Sequence, residues 1–307
     1  MRTPYTLLVG SAEDAHVSHM QTQLLKRRRH TLALDTQCFP KDIQISYDPN
    51  RGEGSLCIND ETIWFEQICS IFWRSFTPLC SNSSIAERDT LSMLKTFFSE
   101  SSLNWVNPYS AIVAHQAKPR QLQIARSLGA LLPKTYVGNC PQAALAFLNK
   151  TPKAIFKPVH GGALTEIVQP GQRTIEYLQH VLKLSPVTLQ AFIPGTNIRT
   201  YVIGSETFSI EFASDAIDFR EDQYAQAHAV AIPEPIKLLA KAITYYFGMQ
   251  WSAVDWRCDH EGRYYFLEVN PSPMFIAVEQ ATGIPLTDAL TELLLEPYNE
   301  CEMPTTE

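Results

Sequence analysis

The chain of 307 residues lacks several features that mark well-defined classes of protein. No apolar run approaches the roughly 20 residues that a membrane-spanning helix needs, so we expect no membrane partner. Positive charge is not in excess, because the formal net charge is -7, and a nucleic-acid surface is therefore disfavoured. The N-terminus holds no apolar segment long enough for a signal peptide. We expect a soluble, cytoplasmic protein.

Recognisable cysteine and glycine motifs are also missing. The seven cysteines are scattered without a C-x-x-C pair, which argues against a disulfide framework and against the common zinc sites. No Walker A loop and no G-x-S-x-G nucleophile elbow occurs. With 45% apolar residues, the chain can still bury a large core divided over two or three subdomains.

The chain begins with a strand at 5–10, a helix at 12–29 and a second strand at 31–34, an order that favours a small parallel sheet. A break follows at Asn107-Pro108, because the residue before proline resists the helical region. We predict an N-terminal α/β domain at 1–106, a central subdomain at 107–186, a C-terminal subdomain at 187–298 and a tail at 299–307. Helices are predicted at 85–99, 108–129, 235–248 and 284–295, and strands at 44–47, 55–58, 70–74, 132–136, 154–158, 187–193, 198–203 and 207–213.

The most informative segment is a pair of strand-like runs near the C-terminus. Residues 251–256 and 264–271 flank the turn-like sequence Asp-His-Glu-Gly and predict a β-hairpin. Glu268 and Asn270 are two residues apart and share one face, and Asp255 on the partner strand can face them. Such oxygen donors suit Mg²⁺, which takes few protein ligands and leaves room for phosphates. We therefore predict a magnesium site here, with a plain structural hairpin as the alternative.

Two lysines are candidates for binding phosphate. Lys157 ends an apolar strand shortly before Gly161 and Gly162, whose backbone N–H groups can approach a polyphosphate closely. Lys118 lies on a predicted helix and can supply a second cation. Each feature has a simpler alternative: the glycines can form an ordinary turn, and both lysines can be solvated.

Further along the chain, extended backbone between two lobes is predicted to hydrogen-bond an adenine edge, at Gln190, Ala191, Phe192 and Ile193. Arg199 on the next strand can point toward phosphates or a developing acyl phosphate, or can form a salt bridge at a sheet edge. Asp218 and Arg220 suit a site in which arginine holds a carboxylate and aspartate takes a proton. A charged loop is the alternative for that pair.

The types of these residues and their order along the chain resemble those of the ATP-grasp superfamily. The resemblance narrows to the ribosomal-protein glutamate ligase branch and, within it, to the ligases that cross-link graspetides (microviridin-type peptides). The narrower match rests on Trp73-Arg74, Ala117-Lys118-Pro119 with Gln121, Asp218-Phe219-Arg220 and the segment 279–285. It implies an α+β fold, in which an N-terminal α/β domain precedes a nucleotide site between two antiparallel-rich sheets.

The resemblance also implies a function. A ligase of this kind uses ATP and Mg²⁺ to join a carboxylate to an amine or alcohol through an acyl phosphate, and the favoured substrate is a ribosomal peptide. Lys118 and Lys157 would bind the phosphates. Arg199 and Arg220 would steady the carboxylate, and Asp218 would act as base.

Three places depart from the family pattern: Ala191 and Asn197 stand where Glu and Asp are frequent, and Ser272-Pro273-Met274 is less polar than the usual segment after the metal motif. A glutamate or small-molecule amino-acid ligase remains an alternative, and the changes at Ala191 and Asn197 leave open a nucleotide-binding regulatory module without catalysis. The sequence leaves a homodimer open.

Overall fold

The computed structural model describes residues 3–76, 84–100, 102–160, 165–214 and 226–296. Over the first part of the chain, strands and helices surround a small antiparallel insertion. Their bounds are β1 (Tyr5–Val9), α1 (Ala15–Lys26), β2 (His30–Leu34), β3 (Ile43–Asp48), β4 (Glu53–Ile58), β5 (Glu61–Trp64), β6 (Ile68–Trp73), α2 (Ile85–Phe98) and β7 (Trp105–Val106).

The N-terminal sheet is parallel, with strand order β2-β1-β6-β7. Strand β1 is buried along its whole length, which is typical of a parallel strand covered on both faces. The predicted β-α-β opening is therefore confirmed. The first helix is shorter than predicted, because the side chain of Asp14 caps its start by accepting a hydrogen bond from the N–H of His16. Strands β3, β4 and β5 form a separate antiparallel sheet, and the short β5 was not predicted.

The second part of the chain contains the central sheet, with strand order β10-β9-β11-β8. Its elements are α3 (Tyr109–Gln116), α4 (Lys118–Ser127), β8 (Thr135–Gly138), α5 (Pro141–Asn149), β9 (Ala154–Pro158), β10 (Glu166–Ile167), α6 (Ile175–Val181) and β11 (Val187–Ala191). The prediction of one continuous helix over 108–129 is wrong, since the backbone breaks at Ala117. Pro119 has no N–H to donate to α3, but it is tolerated in the first turn of α4.

The last part contains the C-terminal sheet, with strand order β14-β13-β12-β15-β16. Its elements are β12 (Thr196–Ile203), β13 (Glu206–Ala213), β14 (Gln226–Ala229), α7 (Glu234–Tyr246), β15 (Trp251–Cys258), β16 (Tyr264–Asn270), α8 (Ile276–Thr282) and α9 (Leu286–Leu295). The predicted hairpin and final helix are confirmed. Helix α8 was not predicted, and it ends where Gly283 adopts a left-handed conformation with φ of 71°.

The two faces of the C-terminal sheet pack against different partners. One face contributes Val254, Trp256 and Val269 to a core shared with α7. The other contributes Tyr201 and Trp251 to a core shared with the N-terminal sheet, α1 and α9. This second core fixes the N-terminal domain against the C-terminal sheet. Within the described ranges, no helix combines the length and apolar character needed to cross a membrane.

Candidate nucleotide and metal site

The hairpin β15–β16 places the predicted metal ligands on one face of the C-terminal sheet. Asp255 pairs directly with Glu268, and Ala253 pairs with Asn270. A bulge interrupts the register after Asp255, so that Leu267 is the extra residue on β16. The bulge lets Phe266 and Val269 both point into the core on the opposite face although they are three residues apart. As a result, Glu268 and Asn270 lie on the face that carries Asp255.

Arg199 on β12 forms a two-pronged ion pair with Asp255. Its Nε donates to Oδ1 at 2.7 Å and its Nη2 to Oδ2 at 2.8 Å, and each side chain is only 17% exposed. Burial by itself would lower the pKa of Arg199, but the charge and hydrogen bonds of Asp255 outweigh it and raise that pKa. Arg199 therefore stays charged beside a carboxylate that is already in place for a cation.

Lys118, the first residue of α4, donates a hydrogen bond to Oε2 of Glu268 on the adjacent strand β16. Burial favours a raised pKa for Glu268, but the ammonium groups of Lys118 and then Lys157 outweigh it, and the pKa is lowered. Because Lys157 contributes to this shift, both predicted phosphate-binding lysines lie near one proposed metal ligand. The geometry thus brings residues 118, 157 and 268 to one place.

Lys157 lies on β9 of the central sheet, across the cleft from the hairpin. Its Nζ donates to Oε1 of Gln190 at 3.2 Å, and the amide nitrogen of that buried side chain donates to Oγ1 of Thr135 at 2.9 Å. The predicted nucleotide residue Gln190 is therefore a support for the lysine in this geometry. Glu268 is therefore influenced by one ammonium group from α4 and one from the central sheet.

The predicted adenine-binding segment connects the two sheets. The N–H of Ala191 donates to the carbonyl of Lys134 at 2.8 Å, and the N–H of Phe192 donates to the carbonyl of Lys153 at 3.0 Å. The carbonyl of Ile193 accepts a hydrogen bond from Nε of Arg257 at 2.9 Å. These contacts fix the backbone of the segment, which we call the hinge (191–195).

Gly195 is required for the approach of the hinge to the C-terminal sheet. A Cβ at this position would lie 1.9 Å from the carbonyl oxygen of Cys258, and its φ of 145° is one that L-residues rarely adopt. The glycine therefore lets the hinge press directly against the end of β15.

The donor set fits a hard divalent cation. Two carboxylates face each other in register at Asp255 and Glu268, and Asn270 adds an amide oxygen that also accepts from the N–H of Ser272 at 2.9 Å. Among the described residues, no group of three His, Cys, Asp or Glu side chains is placed to hold a metal ion. Mg²⁺ does not need such a group, since one or two carboxylates with substrate phosphates suffice.

Four predicted site residues, Gly161, Gly162, Asp218 and Arg220, lie outside the described residues. The roles assigned to them remain predictions.

Two residues that support the edge strand β16 were not predicted to have a functional role. The buried side chain of Gln121 accepts from the N–H of Val269 at 3.1 Å and donates to its carbonyl at 3.1 Å. His115 contacts the same carbonyl at 2.9 Å. Burial and the charge of Lys118 lower the pKa of His115. Both side chains complete hydrogen bonds that an edge strand otherwise leaves open, immediately beside Glu268.

A second set of supports holds the loop 271–275, which follows the proposed metal ligands. Nδ2 of Asn107 donates to the carbonyl of Pro271 at 2.7 Å. Nη1 of Arg74 donates to the carbonyl of Ser272 at 2.9 Å, and the N–H of Phe275 donates to His16 at 3.2 Å. We call these contacts the loop clamp. None of these contacts was predicted, since Asn107 marked only a break and Arg74 entered only through the narrower family resemblance.

No protein-family model and no curated protein sequence matches this chain, but solved structures resemble it over nearly its full length. The ATP-grasp ligase PsnB, solved with a minimal precursor, has a TM-score of 0.83 at 24% identity, covering 96% of this chain and 99% of its own. The macrocyclase MdnC from Microcystis aeruginosa, bound to precursor peptide MdnA, has a TM-score of 0.82 at 22% identity over 95% and 99%. An ATP-grasp ligase from Chryseobacterium gregarium has a TM-score of 0.84 at 18% identity, covering 95% of this chain and 97% of its own. The chain therefore has the predicted ATP-grasp fold.

Proposed function

We propose that this chain is an ATP-dependent, ADP-forming ligase that activates carboxylates as acyl phosphates. The observation that carries this function is the pairing of Asp255 with Glu268 on one sheet face, with Arg199 and Lys118 already bound to them and Lys157 nearby. Such a dense arrangement of opposite charges in a cleft is suited to a polyphosphate and its cation. An ordinary hairpin has no need of three cations around two carboxylates.

Each group has a defined part in the proposed reaction. The hinge holds the base, and Lys118 and Lys157 hold the phosphates. Asp255, Glu268 and Asn270 would hold Mg²⁺, which neutralises phosphate charge when it is bound. The γ-phosphoryl group passes to a substrate carboxylate oxygen and ADP leaves. A hydroxyl or amine then attacks the acyl carbon, loses its proton and releases phosphate.

Arg199 has a particular role in this scheme. Its guanidinium donates two hydrogen bonds to Asp255, and its carbon lies 5.8 Å from the centre of the Phe212 ring. When Asp255 takes up another cation, Arg199 can transfer a hydrogen bond to an oxygen of the phosphorylated carboxylate. Asp218 and Arg220 are proposed to act on the substrate side, as base and carboxylate anchor.

We propose that the substrate is a ribosomally made precursor peptide whose side-chain carboxylates become ester or amide crosslinks. Support comes from the solved structures that share the fold. PsnB and MdnC were solved with precursor peptides, and PsnB also with Mg and ADP. We further propose that the protein acts in the cytoplasm, where ATP is available.

The test is incubation of the purified protein with ATP, Mg²⁺ and candidate precursor peptides carrying Thr, Ser or Lys beside Asp or Glu. We expect ADP release together with peptide products that have lost water, detected by mass spectrometry. Glu268→Ala should abolish both, whereas Glu261→Ala at the exposed hairpin turn should not. ADP release with free amino acids alone would instead identify a small-molecule ligase. ATP binding without ADP formation from any substrate would contradict the ligase assignment.

A further inference from the structure

Arg257 occupies a position in the cleft for which the proposed reaction has so far given no role. It lies on β15 two residues after Asp255, so both side chains lie on the same sheet face. Its Nε donates to the hinge carbonyl of Ile193 at 2.9 Å. Its guanidinium carbon is 5.7 Å from the centre of the Phe192 ring, and Nζ of Lys153 is 3.9 Å from the same ring. Arg257 thus links the hinge to strand β15 of the C-terminal sheet.

One further donor of Arg257 has no partner among the described residues. Its Nη1 is buried and has no hydrogen-bond partner. Asn197, its direct cross-strand neighbour on β12, likewise has a buried Nδ2 without a partner. Buried donors are costly when they are left unsatisfied, and two neighbouring ones indicate an acceptor that is not part of the chain.

The charge of Arg257 is also uncompensated. Within the described ranges no carboxylate forms an ion pair with it, and its Nε donates to a backbone carbonyl. Arg199 differs in this respect, because Asp255, two residues before Arg257 on β15, pairs with it and neutralises its charge. Because no carboxylate occupies the donors of Arg257, its guanidinium can give a hydrogen bond to a neutral oxygen of a ligand.

The order of groups along the sheet identifies the acceptor. The row formed by Arg199 and Asp255 lies at the proposed phosphate and metal end, and the hinge lies at the base end. The row formed by Asn197 and Arg257 lies between them, about 7 Å from the first row, since each strand residue advances about 3.3 Å. In a nucleotide the ribose occupies the space between base and phosphates.

We propose that Arg257 is a nucleotide-binding residue that donates from Nη1 to a ribose hydroxyl oxygen while its Nε holds the hinge carbonyl. Asn197 supplies a second donor to the same sugar. This inference rests on the proposed ATP site, but it assigns a selectivity for ribose over deoxyribose to a particular side chain.

The test is equilibrium binding of ATP, 2′-deoxyATP and 3′-deoxyATP to the wild type and to Arg257→Met, measured by calorimetry without peptide. We expect the wild type to bind ATP about 10- to 100-fold more tightly than at least one deoxy analogue, the range for a hydrogen bond to a charged donor. Arg257→Met should reduce that ratio to near one. The control is Arg263→Met, because Arg263 lies at the exposed turn of the same hairpin.

Two results would overturn the assignment. Wild-type protein that binds ATP and both analogues equally has no ribose contact of this kind. Equally, an Arg257→Met protein that keeps the wild-type ratio shows that another group reads the sugar. If Arg257→Met lowers the unfolding temperature, the ratio of ATP affinity to deoxy-analogue affinity is measured with Arg257→Lys instead. Lysine keeps the charge but cannot bind the hinge and the sugar together. The ratio should therefore fall again, and an unchanged ratio would contradict the assignment. Failure of the wild type to bind ATP at all would instead remove the proposed function itself.

Discussion

Two halves of one face of the C-terminal sheet have opposite characters although they lie on the same strands. Tyr201 and Trp251 are completely buried against the N-terminal domain. Two to four residues further along the strands, Arg199 and Asp255 face the cleft and remain partly exposed. The proposed site therefore begins where the contact between the C-terminal sheet and the N-terminal part of the chain ends. Stability should therefore depend on the buried half, and chemistry on the charged half.

The largest expected effect tests the buried half. Trp251→Ala should lower the free energy of unfolding by about 3–5 kcal/mol, because it leaves a cavity in the core between the two domains. Chemical denaturation measures this change. Trp251→Phe is the matched control and should cost much less, because the indole N–H that it removes has no hydrogen-bond partner. Nucleotide affinity of the remaining folded protein should stay unchanged, and a large loss would show that the halves are not separable.

The reciprocal change tests the charged half. Glu268→Gln should reduce the rate of ADP formation by about 10²–10³-fold, since it removes a carboxylate charge at the proposed metal site. It should lower stability by less than about 1 kcal/mol, because the ion pair with Lys118 is partly exposed. Steady-state kinetics and denaturation on one preparation give both values. Near-normal turnover would exclude Glu268 from the metal site.

The loop clamp lies at the border between the two halves and should give an intermediate effect. Arg74 holds Ser272, whose N–H in turn holds the side-chain oxygen of Asn270. Arg74→Met should therefore raise the Mg²⁺ concentration needed for half-maximal nucleotide binding about tenfold, as expected when a support of a metal ligand is lost. The control is Arg27→Met, which removes another link between the domains, an exposed pair with Asp288 and Glu292. Equal effects of both changes would contradict a specific role for the clamp.

The smallest effect is a dependence of stability on pH. Burial, followed by the charges of Lys118 at His115 and Arg74 at His16, lowers the pKa of both histidines from about 6.5. The folded protein therefore binds fewer protons than the unfolded chain below that value. This contribution to stability is complete above pH of about 6.5 and is lost as the pH falls toward the lowered values.

Urea unfolding measured in steps from pH of about 7.5 to about 5.5 checks this prediction. We expect the free energy of unfolding to decrease with falling pH, and His115→Gln to decrease the slope. His180→Gln on α6 serves as a control. If His115→Gln leaves the dependence of the unfolding free energy on pH unchanged, His115 does not contribute to that dependence.

Much of the site was predictable because its residues lie in local patterns. Alternation along β16 places Glu268 and Asn270 on one face of that strand, and the bulge at Leu267 brings this face to the side that carries Asp255. The order of lysine, hinge and hairpin indicated the fold, and the solved structures confirm it. The bulge at Leu267 was not predicted, because it depends on burying Phe266 and Val269 together against α7.

The break at Ala117 shows how a local signal can be missed. Pro119 was visible in the sequence, but the segment 108–129 was predicted as one helix, although proline is tolerated only in the first turn of a helix. The break matters for the site because it makes Lys118 the first residue of a new helix and directs it to Glu268.

By itself the sequence determined the parallel opening, the acidic hairpin and the types of charged residue that the cleft would contain, since each follows from neighbours a few positions apart. Only the tertiary structure decided that Arg199 meets Asp255, that Asn107 and Arg74 hold the loop after Asn270, and that Arg257 lies beneath the hinge. These contacts join residues far apart in the chain. Their formation depends on strand register and on how the sheets pack, and short-range patterns do not contain that information.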